Sequence, residues 1–386
     1  MDKIDEILTR GVENIYPSKE ALKKKLLSGE KLRIYLGIDP TSPNLHIGHG
    51  ITLRKLRQFQ DLGHEVILLI GDFTGMIGDP TGKSSARVSL TREQVLKNSE
   101  GYVRQTEKIL DFKNKTNPAK IMFNSQWLDS LTFKDVIKVA ALLTTSQMLN
   151  RDMFQKRLKN GGDVGIHELL YPMIHGYDSV AMDVDMEIGG NDQTFNMLVG
   201  RDLMKKIKGK EKFVLTTKLL TDPTGKKMGK TEGNMITLDD TADNMFGKIM
   251  GWPDSMIPLG FEICTDLEPE ELQNPMEQKM KLSYEIVKVY HGEKSADKAQ
   301  ENFVNLFQKK EIDADNLKEI KVKKGSGFLD ILVENNLIKS KSEARRLFES
   351  GAIDVDGKVI QDSRFKIQDN AVVKIGKKIF VKIAVK

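Results

Sequence analysis

One cysteine, Cys264, stands in 386 residues. A disulfide framework is therefore impossible, and a cysteine-based zinc site nearly so. Long hydrophobic runs are equally scarce. The longest uninterrupted aliphatic stretch is Val66–Ile70, bracketed by Glu65 and Gly71. A membrane-spanning helix needs about 18–20 apolar residues, which argues against one here. The first residues, Met1 to Glu6, lack the basic-then-apolar pattern of a secretion signal. Together these absences lead to the expectation of a cytoplasmic protein with no membrane partner. No internal repeat and no low-complexity tract is present. Asn114-Lys115-Thr116 matches a glycosylation triplet, which in a cytosolic chain is read as chance.

What is present fits a soluble globular chain: 39% hydrophobic and 30% charged residues exclude disorder. The length exceeds one ordinary core, so two or three domains are expected. The net charge of +5 hides an asymmetry, because residues 321–386 hold 15 Lys/Arg against 8 Asp/Glu. A basic terminal module on a near-neutral body suits a polyanionic partner.

The first half alternates short apolar runs with helical patterns. Strands are expected at Arg33–Ile38, Glu65–Ile70, Lys120–Phe123, Val184–Ile188 and Phe213–Leu215. Helices are expected at Ile47–Leu62, Gln94–Leu110 and Asp192–Lys206. This β-α-β-α rhythm argues for a doubly wound parallel sheet. Residues 133–160 read as helical and as a candidate insertion. From about 240 to 310 the pattern is helical throughout. Lys321–Gly327, rich in lysine and glycine, reads as a linker. Two short helices and short alternating strands follow it. Ser340 and Glu343 have the spacing of a capping box, and Gly351 closes that helix.

Two motifs carry chemistry. Gly37 to Gly50 follows a strand and opens a helix, with His46 and His49 sharing a face at its first turn. A helix N-terminus attracts anions, so two imidazoles there could hold phosphate oxygens, with Gly48 allowing close approach. The second is Leu220 to Thr231, a glycine-bordered cationic loop with Lys227 and Lys230. Such a loop suits charge developing on a phosphate leaving group. Gly78 to Ser84 is not a P-loop, because Ile77 stands where the first glycine belongs. Gly48 and Gly50 are not a dinucleotide fingerprint, because Leu53 replaces its third glycine. Tyr35, Gly37 and Asp39 alternate toward one strand's carboxyl end, where doubly wound sheets bind ligands. Tyr171, His175 and Asp178 share one helix face.

Paired, the two motifs make the chain resemble a class I aminoacyl-tRNA synthetase. His46-Ile-Gly-His49 is identical to that class's first signature. Lys227-Met-Gly-Lys-Thr231 looks like its second, Lys-Met-Ser-Lys-Ser, and departs at Gly229 and Thr231 toward the form found in bacterial tyrosyl enzymes. The separation of about 180 residues also fits. Gly189-Gly-Asn-Asp-Gln193 matches the tyrosyl family's Gly-Gly-x-Asp-Gln. Ser342 to Leu347 and Gly351 to Gly357 resemble an αL-type RNA-binding fold.

The resemblance to bacterial tyrosyl-tRNA synthetases implies an α/β fold: a Rossmann-like catalytic domain over 1–232, with a helical insertion near 125–165. It further implies an α-helical, anticodon-side domain over 233–320 and a small α+β RNA-binding domain over 326–386. ATP and L-tyrosine are the implied substrates and tRNA(Tyr) the partner, with Mg²⁺ accompanying ATP and no protein metal cage. A homodimer is implied as well. Thr41, His46, His49, Lys83, Arg87, Lys227, Lys230 and Thr231 would serve catalysis. Gly37, Asp39, Gly48, Gly190, Asp192 and Lys230 would hold ATP. Tyr35, Asp79, Tyr171, His175, Asp178 and Gln193 would hold tyrosine, with His175 standing where many members have Gln. Arg345 and Arg346 would grip RNA phosphates. A tryptophanyl enzyme and an RNA-binding, splicing-assisting relative are the alternatives; Tyr35, Asp178 and the basic tail argue against the first, and the intact paired signatures against the second.

Overall fold

The computed structural model describes residues 2–81, 90–222, 224–225, 235–268, 274–307, 317–323, 325–335, 337–338, 340–356, 358–376 and 379–385. Contacts divide the chain into two compact units, residues 1–300 and 301–386. Among the described residues no helix is long and apolar enough to cross a membrane.

Among the described residues the first unit holds six strands: β1 (Val12–Tyr16), β2 (Arg33–Ile38), β3 (Glu65–Ile70), β4 (Lys120–Phe123), β5 (Met186–Gly190) and β6 (Phe213–Thr217). Their order is β1-β6-β5-β2-β3-β4. The five from β2 to β6 run parallel, and β1 is an antiparallel edge on β6. Val66, Leu68 and Ile70 of β3 are fully buried, as is Ile34 of β2. Near-continuous apolar runs of this kind mark strands covered on both faces. From β2 the chain winds outward to β3 and β4, then returns to β5 on the other side. The carboxyl ends of β2 and β5 therefore flank the topological switch point.

Crossover helices Ile47–Asp61 and Arg92–Thr106 connect the outward strands, and Ile166–Met182 leads into β5. Four short helices between Ser125 and Lys159 separate β4 from Ile166–Met182. Helices Ala242–Met250, Ile257–Cys264 and Pro275–His291 belong to the same unit as the sheet. Strand β1 has no strong sequence pattern, because it is a half-exposed edge whose register shifts between Val12 and Asn14.

The second unit holds β7 (Lys318–Val322), β8 (Ile353–Val355), β9 (Lys358–Val359), β10 (Ala371–Ile375) and β11 (Ile379–Val385), in the order β7-β11-β10-β8-β9. Helices Phe328–Glu334 and Lys341–Glu349 pack on it through Phe328 and Phe348, whose rings meet edge to face at 5.8 Å. Ser340 caps the second helix by accepting from the Glu343 N–H, and Gly351 ends it at φ +66°. The linker reading of Lys321–Gly327 is corrected at its start. Lys321 and Val322 pair in parallel with Ala384 and Val385. Lysines alternating with Ile320 and Val322 mark a half-exposed strand, not an unstructured tether.

Candidate functional site

A cavity of about 210 Å³ opens at the carboxyl ends of β2 and β5. Tyr35, Gly37, Asp39, Thr41, His46, Gly48 and His49 reach it from β2 and the turn that follows. Asp79 comes from beyond β3, and Tyr171, His175 and Asp178 from one face of helix Ile166–Met182. Gly190, Asp192 and Gln193 come from the turn after β5. Lys83, Arg87, Lys227, Lys230 and Thr231 lie outside the described residues. Arg345 and Arg346 are exposed on a helix of the second unit.

The first signature is organised by backbone amides. His46 is the N-cap of helix Ile47–Asp61, and its Nδ1 accepts from the Gly48 N–H at 3.1 Å. His49 Nδ1 accepts from the His46 N–H at 3.2 Å. The two rings lie with centroids 3.9 Å apart. An acceptor nitrogen carries no proton, so in each neutral ring the proton sits on Nε2. Both imidazoles thus offer an Nε2–H donor at the positive end of a helix, which suits an anion.

The flanks of the second signature reach the same place. Lys218, Leu219 and Leu220, just before it, line the cavity. Just after it, Ile236 accepts from the Ile47 N–H at 2.9 Å and Leu238 donates to the Leu45 carbonyl at 2.9 Å. Main-chain bonds therefore stitch the exit of that loop to the first signature, beside His46.

Polar groups around the cavity fall into linked sets. Asp39 accepts from the Thr74 hydroxyl at 2.6 Å and the Tyr171 hydroxyl at 2.8 Å. A β-carbon on Gly71 would stand 2.0 Å from Asp39 Oδ1, so only glycine leaves room for this carboxylate. Burial pushes the Asp39 carboxyl up to about 6, even though both hydroxyls oppose the shift. Asp79 accepts from Gln193 Nε2 at 2.8 Å. Asp178 accepts from Trp127 Nε1 at 2.8 Å and Asn124 Nδ2 at 3.2 Å. Burial pushes it up to about 7, against the pull of His175 and these donors. Burial likewise raises the Tyr35 and Tyr171 phenols well above the usual range, so both remain neutral donors.

The Tyr35 hydroxyl lies 2.9 Å from Ser179 Oγ, and His175 Nε2 lies 2.6 Å from Glu187 Oε1. Burial pulls the His175 imidazole down, but the Glu187 carboxylate beside it leaves it raised overall. Ser179, Glu187, Thr74, Asn124 and Trp127 are contributors that motif reading missed. Glu187 had a partial signal: a carboxylate between Met186 and Ile188 in a strand, though Asp185 beside it blurs the pattern. The others meet the site only through tertiary contact.

The arrangement offers a neutral-phenol and carboxylate pocket next to a helix N-terminus with two imidazole donors. It can hold a small phenol or amine and an anionic phosphate side by side. The model for tRNA synthetases class I (W and Y) matches residues 27–308. The model for the C-terminal domain of tyrosine–tRNA ligases (SYY-like) matches residues 310–383. The chain is 45% identical to tyrosine–tRNA ligase 2 of Clostridium acetobutylicum, over 100% of both sequences. It is 42% identical to tyrosine–tRNA ligase of Thermotoga maritima, over 98% of this chain and 96% of that one. Among solved structures, a C-terminally truncated mitochondrial tyrosyl-tRNA synthetase from Coccidioides posadasii matches with a TM-score of 0.64 at 25% identity. It covers 78% of this chain and 91% of that one. Coupled with the two histidines on one helix N-terminus and the tyrosyl-type turn at Gly189–Gln193, these matches show that the chain belongs to the bacterial tyrosyl-tRNA synthetases of class I.

Proposed function

We propose that the cavity activates L-tyrosine with ATP and that the enzyme then charges tRNA(Tyr). A carboxylate oxygen of tyrosine attacks the α-phosphorus of ATP. The bond from that phosphorus to the bridging oxygen of the β-phosphate breaks, giving tyrosyl-adenylate and pyrophosphate. A hydroxyl of the 3′-terminal ribose of tRNA then attacks the adenylate carbonyl, and AMP leaves. No side chain forms a covalent bond to substrate. Catalysis comes from positioning and from donors that meet the transition state more strongly than the ground state.

Tyr35 and Asp178 take the substrate phenol, and Asp79 and Tyr171 its ammonium group. Gln193 faces its carboxylate, and His175 completes the wall. Gly37, Asp39, Gly48, Gly190 and Asp192 hold ATP. Thr41, His46 and His49 donate to its phosphates, with Lys83, Arg87, Lys227, Lys230 and Thr231 closing on the leaving pyrophosphate. Mg²⁺ arrives on the phosphate oxygens as part of the ATP substrate. Among the described residues no group of three or more His, Cys, Asp or Glu is arranged to hold a metal.

Residues 1–232 carry the chemistry, 233–320 face the anticodon side of tRNA, and 326–386, with Arg345 and Arg346, grip RNA. The enzyme acts in the cytoplasm as a homodimer. Phe133 and Ile137, one helical turn apart, are 81% and 54% exposed. Beside them an apolar hollow is lined by Val136, Val139, Leu170 and Met173. Exposed apolar surface of this kind marks an interface.

The observation that carries the reading is Asp178, a buried carboxylate on the cavity wall with two fixed donors. Exchange of labelled pyrophosphate into ATP, run with each proteinogenic amino acid, tests it. Tyrosine alone should support rapid exchange. Tryptophan as the best substrate would overturn it.

A further inference from the structure

A fully buried lysine lies behind the cavity wall. Lys212, immediately before β6, is 0% exposed. Its ammonium donates to Glu187 Oε2 and, at 2.8 Å, to Ser179 Oγ. It also stands 5.7 Å from the centroid of the Tyr35 ring, inside the ~6 Å reach of a cation–π contact. Ser179 in turn bonds the Tyr35 hydroxyl, and Glu187 bonds His175. One buried ion pair thus connects to two side chains of the cavity wall from behind.

Room for the ammonium is built into a helix crossing. A β-carbon on Gly200 would lie 2.7 Å from Lys212 Nζ and 2.9 Å from Ser179 Oγ. On the facing helix, a β-carbon on Gly176 would lie 2.9 Å from the Gly200 nitrogen. The two helices meet backbone to backbone, and the lysine tip sits beside the contact.

Such a pair is a poor source of stability, because desolvation offsets the Coulomb attraction and apolar replacements are often as stable. Its contacts do have direction. An ammonium only donates, so Ser179 must accept from it. Burial would raise the Glu187 carboxyl, but Lys212 and His175 override this and hold it down at about 2. A carboxylate facing His175 Nε2 fixes a proton on that nitrogen. The Tyr35 phenol is held on its ring face by the charge and at its oxygen by Ser179.

We propose that Lys212, Glu187 and Ser179 form a positioning unit for the hydroxyl-sensing end of the cavity. They hold the Tyr35 phenol in the orientation that meets a substrate phenol and fix the His175 ring in the wall beside it, and so contribute to rejection of an amino acid that lacks the hydroxyl. The proposal rests on the reading that Tyr35 and Asp178 meet that phenol. Lys212 and Ser179 act through Tyr35, and Glu187 acts through His175 and Lys212.

The test is pyrophosphate exchange by the full-length enzyme with tyrosine and with phenylalanine. It compares wild type, Ser179→Ala, the double variant Lys212→Met/Glu187→Gln, and Tyr35→Phe. The double variant is used because Lys212→Met alone strands a buried carboxylate. Ser179→Ala should raise the KM for tyrosine about ten-fold, the typical scale of one buried hydrogen bond. kcat and the KM for ATP should change little, and the tyrosine-to-phenylalanine ratio of kcat/KM should narrow about ten-fold. The double variant should narrow it similarly. A wild-type ratio in both, with only a lowered melting temperature, means packing alone and overturns the proposal. Tyr35→Phe separates the two claims. An unchanged ratio there overturns the phenol-site reading and the proposal with it. A collapsed ratio there beside a wild-type ratio in Ser179→Ala overturns the positioning claim alone.

Discussion

Trp127 donates its indole N–H to Asp178 Oδ1 at 2.8 Å. The tryptophan sits on the short helix Ser125–Leu128 after β4, and the carboxylate on helix Ile166–Met182. Asn124, one residue before that short helix, donates to both Thr74 and Asp178. Two helical segments far apart in sequence thereby fix one carboxylate on the cavity wall, at the end where we propose the substrate phenol binds.

Removing that indole donor should move a titration. A hydrogen bond to the charged form favours it, so its loss raises the pKa. In Trp127→Phe the acid limb of kcat/KM for tyrosine should shift to higher pH, by roughly one unit. An acid limb that stays in place would mean that Asp178 is not the group whose ionisation the substrate requires.

Asp178 should also weaken the fold as pH rises. Its carboxyl is raised from 3.8 to about 7 by burial. Between those values the folded state keeps a proton that the unfolded state has lost. Stability from this group therefore falls as pH rises from about 4 to 7 and is level above. Asp178→Asn should gain on wild type over that window, by a few kcal/mol at most. Urea unfolding at pH 4.5 and 7.5 reads the difference, and a gap that shrinks with pH would contradict the assignment.

Lys230→Ala should slow adenylate formation about 100- to 1000-fold, the usual cost of one preorganised transition-state contact. The affinity for tyrosine should be nearly unchanged. Single-turnover mixing separates rate from binding. A matching loss in both would remove the lysine from the transition state and make it a ground-state contact.

Arg345→Glu/Arg346→Glu should leave pyrophosphate exchange intact and weaken tRNA binding. Each lost phosphate contact lowers the slope of log affinity against log salt by about 0.9. The double variant should therefore show a slope shallower by about two. An unaltered slope would make this helix an ordinary solvated face.

Much of this was legible in the amino-acid order, because parallel strands and helix N-termini leave local signatures. The apolar run of β3 and the His46–His49 spacing announce a sheet and a helix N-terminus carrying two imidazoles before any contact is known. Edge strands speak less clearly. β1 carries Glu13 and Asn14, both exposed, and β7 carries lysines that mimic a tether. Lys212 was the least visible. It follows Lys210 and Glu211 and reads as a surface charge. Gly200, a dozen residues earlier, Ser179, on another helix, and Glu187 and Tyr35, on two other strands, enclose it. Its role depends on a crossing that no local pattern encodes.

In the proposed site, one substrate hydroxyl is read by Asp178 and Tyr35. A site that bonds a hydroxyl leaves its buried polar groups unpaired when the hydroxyl is missing. Rejection then reaches about 10⁵-fold, a magnitude known from tyrosyl enzymes themselves and not deduced from this cavity, against about 10–200-fold for an apolar pocket that senses one methylene. His175→Gln should be mild, since an amide can still donate to Glu187. The decisive measurement is the ratio of kcat/KM for tyrosine over phenylalanine in wild type and in Asp178→Ala. Asp178→Ala should lose most activity with tyrosine and narrow the ratio by orders of magnitude. A ratio that stays at the wild-type value would remove Asp178 from the phenol site.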